Sequence, residues 1–195
     1  MALDCWKKKR EVMRHYDELG DIYDLLYGDE QNRKIESALH ATSVKGSDTV
    51  IDVGCGTGFL LDRIQKSVAM LIGVDDSIGL LKIAMKRMKV RPERKSAILV
   101  RADADHLPFV DKIFDKVFAL TLLQNVPDSA RALREMMRVA KHDSAIVVTG
   151  LRKSFTKDTL GGVLSKVGLE FSIAEAEDRT QDIIAVCRAR KVKDK

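Results

Sequence analysis

The residues from Asp52 to Gly58, Asp-Val-Gly-Cys-Gly-Thr-Gly, carry the densest chemical signal in the chain. Glycines at alternate positions let a backbone take conformations closed to other residues and approach a ligand closely. The run follows an apolar, β-branched stretch, Thr49-Val50-Ile51-Asp52-Val53, and precedes Leu60, Leu61 and Ile64 at helical spacing. A strand-to-helix turn of this kind offers free N–H groups to an electron-rich ligand, and a side chain at Gly54 or Gly56 would intrude on it. An acid belongs with such a turn. Asp75 stands 17 positions beyond Gly58, at the end of Val74-Asp75-Asp76, where a carboxylate accepts hydrogen bonds from both hydroxyls of a ribose. The turn reads G-x-G-x-G after an aspartate, not the G-x-G-x-x-G of dinucleotide enzymes, and no lysine with a serine or threonine follows it as in a P-loop.

The elements that must hold these residues alternate. After Thr49–Val53, strands are expected at Ala69–Val74, Ala97–Val100, Lys116–Leu120 and Ala145–Thr149, as short apolar runs suited to burial on both faces. Helices are expected from Phe59, from Ser77 as N-cap with Leu80, Leu81, Ala84 and Met88 inward, and over Ser129–Ala140. In the last of these, Leu133, Met136, Met137 and Ala140 form a core stripe. A helix at Thr156–Val167 and two strands, Leu169–Ala174 and Asp182–Arg188, complete the pattern. Alternation of this kind implies an α/β, Rossmann-like fold: a mostly parallel seven-stranded sheet with an antiparallel edge strand and helices on both faces. Residues 1–41 read as a helical cap, broken by Gly20 and Gly28 into two or three short helices. Residues 42–190 form the main domain, and 191–195 a basic tail.

In that order, the motifs resemble the class I S-adenosylmethionine-dependent methyltransferases, in particular the type 11 group that includes ubiquinone-biosynthesis-like enzymes. The resemblance runs from about Tyr16 to Arg188. It rests on Val50–Gly58, on Gly73-Val74-Asp75-Asp76-Ser77, on Arg101 through Asp103, Ala104 and His106 to Phe109, and on Phe114 to Asp128. It implies S-adenosyl-L-methionine as cofactor. Gly54, Cys55, Gly56 and Gly58 would shape the turn around the methionine moiety, with Asp52 near its amino group. Asp75 and Asp76 would stand at the ribose, Asp103 and the Ala104 backbone at adenine, and the Leu120 backbone on the methionine side. Tyr23 and Arg33, ten positions apart, match an aromatic–arginine pair that contacts the methionine end in glycine N-methyltransferase-like relatives; a guanidinium fork suits a carboxylate.

The acceptor side is less explicit. Tyr16, His106, Gln124 and Asn125 are its candidates, and Asp105 reads as a solvated loop residue. Members of the type 11 group often have histidines where Gln124 and Asn125 stand, so that base is not available here, and no catalytic residue declares itself. Transfer from a sulfonium needs an in-line approach, exclusion of water and a nucleophile in the right protonation state; only a poor nucleophile needs a dedicated base. The loop Thr121–Pro127 lacks the Asn/Asp-Pro-Pro-Tyr/Phe sequence that receives exocyclic amines.

Composition bounds the rest. The 195 residues suit one domain, with 45% apolar and 32% charged residues. The formal charge of +5 gathers in Lys7–Arg10, Lys82–Lys95 and Arg188–Lys195, which raises RNA as an acceptor beside a small molecule or a protein. Cys5, Cys55 and Cys187 are too scattered for a disulfide framework or a metal cluster and suit reduced thiols in the cytoplasm. No apolar run approaches the roughly 20 residues of a membrane span, and no apolar core follows the basic N-terminus as in a secretory signal. A small adaptor protein could pair with the apolar strand at 97–100 if that strand is a sheet edge. The reading from another class is a non-catalytic Rossmann-like binding or regulatory subunit that retains the cofactor site; a degraded turn or a lost ribose acid would mark it, and neither is present.

Overall fold

A computed structural model describes residues 2–89, 97–174 and 180–189, with the side chains of residues 2–5, 20, 21, 89 and 189 left aside. The chain forms α1 (Ala2–Ala41), β1 (Thr49–Val53), α2 (Phe59–Ile64), β2 (Met70–Asp75), α3 (Ile78–Lys89), β3 (Ile98–Arg101) and β4 (Phe114–Ala119). It continues with α4 (Ser129–Val139), β5 (Ala140–Leu151), α5 (Lys157–Lys166), β6 (Leu169–Ile173) and β7 (Asp182–Ala189). The basic tail at 191–195 lies outside the described residues.

One seven-stranded sheet has the order β3-β2-β1-β4-β5-β7-β6. Strands β3, β2, β1, β4 and β5 pair in parallel, whereas β7 runs antiparallel to both β5 and β6 and so lies one place in from the edge. Alternate strand residues feed two cores, as the pleat requires. Val50, Leu71, Phe118, Val147 and Ile184 face Ile35, Leu61 and Leu81 of α1, α2 and α3. Ile51, Ile72, Val117, Ile146 and Ile183 face Leu133, Met136, Leu160 and Leu164 of α4 and α5. Chain direction across the sheet reverses between β1 and β4, and such a switch point opens a crevice at the carboxyl ends of the strands.

Two expectations are corrected. The first 41 residues do not divide into short helices: α1 is one helix of 40 residues, about 60 Å long at 1.5 Å per residue. Each interior glycine costs a helix about 1 kcal/mol, and tertiary contacts offset it. Asp17 accepts from Ser77 Oγ and from the Gly79 N–H, Asp24 pairs with Arg87 and accepts from Thr57, and Ile35 and Ala38 are buried. Gly28 sits where a Cβ would already touch the Phe59 ring at 3.4 Å. The second correction concerns β5, which starts at Ala140 and not Ala145. Lys141, His142, Asp143 and Ser144 are too polar to read as strand, but Phe114 and Ala140 pair beyond a register shift in β4.

Candidate functional site

The glycine turn is folded by its own backbone and tied to the end of β2. Gly54, Gly56 and Gly58 have φ of 77°, 54° and 83°, the left-handed region that glycine adopts without strain. The N–H groups of Gly54 and Cys55 both donate to the Val74 carbonyl, at 2.7 and 2.9 Å. Asp75 completes the turn: Oδ2 accepts from the Gly56 N–H and Oδ1 from the Ser77 N–H, each at 2.9 Å. A Cβ on Gly54 would come within 2.9 Å of Leu122, whereas the space above Gly56 is open to 4 Å, room that a ligand can fill.

Two cavities meet at this turn. The larger, about 740 Å³ and open to solvent at its mouth, is lined by Asp75, Asp76, Asp103 and Ala104 at one end and by Leu120, Thr121 and Leu122 at the other. The smaller adjoins Asp52, Gly54, Cys55 and Gly56, with Tyr23, Gln31 and Leu120 opposite. Asp52 is buried with no hydrogen-bond partner for its side chain among the described residues, and burial, then the charge of Asp75, push its carboxyl up to about 8. Burial also raises Asp75, to about 6, against the pull of its two backbone N–H donors. Buried acids without a cation favour a ligand that brings positive charge or hydroxyl donors. A sulfonium nucleoside with an α-amino group brings both, so the acids present fit S-adenosylmethionine.

The other expected residues divide. Asp76, Asp103, Ala104, Leu120, Tyr16, Tyr23 and Asn125 line the larger cavity. Cys55 lines the smaller, but its buried thiol packs against Gly73, where an added Cβ would meet it at 2.9 Å. Gly58 lines neither: it caps α2, and a Cβ there would press on Ala84 at 3.1 Å. Asp105 is not solvated. It is buried, and Lys9 of α1 reaches both Asp103 and Asp105 at 2.5 Å. His106 is exposed and contacts Arg131 away from the cavity, and Gln124 turns its buried Oε1 to no partner among the described residues.

Arg33, expected at the methionine end, is corrected. It is exposed, pairs with Glu30 at 3.2 Å and lines a groove on the outer side of α1 with Glu36 and Arg63. The buried cation is the next residue. Lys34 is 2% exposed; its Nζ lies 2.7 Å from Asp182 Oδ2 and donates to Thr121 Oγ1 at 2.5 Å. Asp182 is 0% exposed, and neither of its oxygens has another partner among the described residues. Thr121 is itself unusual, a β-branched residue at φ 66° immediately after β4. Its N–H donates to Thr149 Oγ1 at 2.8 Å, and its carbonyl accepts from Asn125 Nδ2 at 2.7 Å. A sequence signal for Lys34 existed: Gln31, Lys34, Ile35 and Ala38 share one helix face, so a cation lies on an apolar stripe.

Comparison with known proteins identifies the family and the fold. The family described as "Methyltransferase domain" matches residues 51–148. A demethylmenaquinone methyltransferase of Thermobifida fusca is 33% identical over 147 residues, 73% of this chain; the chain spans 61% of that enzyme's length. An S-adenosyl-L-methionine-dependent methyltransferase structure from Methanococcus maripaludis superposes with a TM-score of 0.76 at 18% identity, covering 93% of this chain and 94% of that one. A Haloferax volcanii methyltransferase, solved in complex with the Trm112 methyltransferase activator, superposes at 0.75 with 17% identity, covering 89% and 97%. At such identities the superpositions speak to the fold.

Proposed function

The chain belongs to the class I S-adenosylmethionine-dependent methyltransferases of type 11, and from that membership we propose that it methylates a small, apolar, ring-bearing molecule in the cytoplasm. The observation that carries the reading is the acceptor side of the larger cavity. Beyond Thr121 it is walled by Leu122, Val126 and Pro127, with Tyr16, Tyr23 and Val12 of α1 across from them. Apolar and aromatic walls suit a flat ring and offer little to a phosphate backbone. Asp75, its carboxyl at about 6, and Asp76 add negative charge, which draws in the sulfonium and repels a polyanion, while Lys9 in the same wall is already paired with Asp103 and Asp105. The quinone-type acceptor in the relative's name points the same way. Much of the basic sequence that raised RNA, at 90–95 and 190–195, lies outside the described residues. Among the described residues, no helix is long and apolar enough to cross a membrane.

The test is methyl transfer from tritium-labelled S-adenosylmethionine, offered together to a prenylated 1,4-naphthoquinol and to bulk cellular RNA. Label in the organic extract is the expected result. Label in RNA alone overturns the small-molecule reading, and binding of S-adenosylhomocysteine with no transfer to any acceptor favours a regulatory subunit.

A second reading adds an adaptor. β3 is one of the two outer strands of the sheet, and Ile98 on it is 51% exposed. An unpaired edge of this kind can take a further strand from another chain, and a neighbour of this fold was solved with the Trm112 activator. Co-expression with such an activator should give a stable 1:1 complex that Ile98→Lys disrupts; no complex by light scattering removes the adaptor.

A further inference from the structure

Within the proposed small-molecule site, the hydrogen bonds around Asn125 fix which atom of Tyr16 is left for a ligand. Asn125 sits in the turn after β4, its N–H donating to the Leu122 carbonyl at 2.8 Å. Its side-chain amide meets two oxygens: the Thr121 carbonyl at 2.7 Å and the Tyr16 phenol at 2.9 Å. An amide can ordinarily be turned over, exchanging oxygen for nitrogen. Here it cannot, because the Thr121 carbonyl is an acceptor only and a flipped amide would set oxygen against oxygen. The NH2 group therefore faces both partners, and Tyr16 receives a hydrogen bond. A phenol has one proton to give, and no group among the described residues accepts that of Tyr16. Its ring lines the larger cavity and none of the smaller, and the bond to Asn125 sets its phenol beside the loop after β4, within electrostatic reach of Asp75. Burial also holds the phenol above its ordinary range, so it stays protonated.

Tyr23 offers no such certainty. Gln31 Nε2 reaches its oxygen at 3.1 Å and Thr121 Oγ1 at 3.4 Å, and both of those hydroxyls can give or take. Tyr23 also lines both cavities. Val12, Tyr23, Leu122, Val126 and Pro127 of the cavity wall carry no carboxylate or imidazole. His15 packs on the Tyr16 ring at 5.6 Å but does not line the cavity, and Asp75, close enough to raise the phenol further, is engaged by the Gly56 and Ser77 N–H groups.

We propose that Tyr16, oriented by Asn125, donates its phenol proton in a hydrogen bond to an anionic ring oxygen of the acceptor, so that the site selects an enolate or phenolate over its neutral analogue. The inference rests on the small-molecule reading above. An acceptor that arrives ionised needs no base, and the sulfonium of a bound S-adenosylmethionine would supply its counter-charge. Its π pair forms the new carbon–carbon bond to the methyl group while the sulfur–carbon pair remains on sulfur. The oxygen becomes a carbonyl, and the ring proton then passes through water to that oxygen, restoring the ring. The Tyr16 hydrogen bond holds that oxygen in place throughout, and no proton leaves the phenol. Asn125 is a positioning residue, since it acts only through Tyr16.

The probe is 2-hydroxy-1,4-naphthoquinone, an anion at neutral pH with a visible band, titrated against the protein saturated with S-adenosylhomocysteine. Unsubstituted 1,4-naphthoquinone serves as the neutral reference. The wild type is expected to prefer the anion. Tyr16→Phe should cut that preference about tenfold or more while changing affinity for the neutral quinone by less than about threefold, as expected for one charge-assisted hydrogen bond. Asn125→Leu should cut the preference in the same direction, because the phenol then loses the donor that orients it. S-adenosylhomocysteine affinity of each variant, measured by calorimetry, verifies that it is folded. An undiminished preference for the anion in Tyr16→Phe overturns the role of Tyr16 and leaves the small-molecule reading intact. If neither quinone binds the loaded wild type, both readings fall; if the neutral quinone binds as tightly as the anion, the selection by Tyr16 falls alone.

Discussion

Two sets of buried ionisable groups, one at the carboxyl ends of β1 and β2 and the other between α1 and β7, are built on opposite terms. Asp52 and Asp75 are neighbouring acids with no cation against them, and their carboxyls are pushed up to about 8 and about 6. Lys34 and Asp182 are buried at least as deeply, but they face each other at 2.7 Å. The first set leaves a cost in the free protein that a cationic ligand removes. The second is matched within the chain and needs no ligand. Burial alone thus does not mark a binding site; burial without an internal counter-charge does.

The comparison breaks most visibly at the matched pair. Replacing Lys34 with Met leaves Asp182 buried and alone, which should lower unfolding free energy by about 3–5 kcal/mol. The double variant Lys34→Met with Asp182→Leu should recover most of that loss. Urea denaturation measures both, and a single variant within about 1 kcal/mol of wild type would mean that the pair is solvated in solution.

At the unmatched acids the larger response should be in binding. Asp75→Asn should weaken S-adenosylhomocysteine by about 1.5–3 kcal/mol, the range for hydrogen bonds to a charged group, as read by calorimetry. An unchanged affinity would remove Asp75 from the ribose.

A pH series sharpens the contrast. Because the folded-state pKa values of Asp52 and Asp75 lie above the unfolded value of about 3.9, the folded chain keeps protons that the unfolded chain has released. Their contribution to stability is therefore most favourable below pH 4 and declines as pH rises through about 6 and about 8. Denaturation midpoints of the ligand-free protein should fall across that window, and Asp52→Asn should flatten the upper part. A cationic ligand favours the ionised acids, so S-adenosylmethionine affinity should rise several-fold from pH 6 to 8 with release of protons. Calorimetry in two buffers of different ionisation enthalpy counts them; zero release would mean that the acids are already ionised in the free protein.

The sequence by itself determined the sheet, the glycine turn and the acids at the strand ends, because those signals are local. A strand buried on both faces must be apolar, a left-handed turn calls for glycine, and Asp75 follows the second strand directly. It also named Tyr16 and Asn125, as separate candidates. Only the tertiary structure brought them together across 109 positions and left the phenol proton for a ligand. The helix at the N-terminus shows the limit of local reading: Gly20 and Gly28 argue for breaks, and contacts of Asp17 and Asp24 with α3 and the glycine turn override them. Arg33 and Lys34 differ by one step, about 100° of rotation around a helix. Which of two adjacent cations turns inward depends on what lies beneath, and Asp182 of β7, far along the chain, supplies the charge that keeps Lys34 buried.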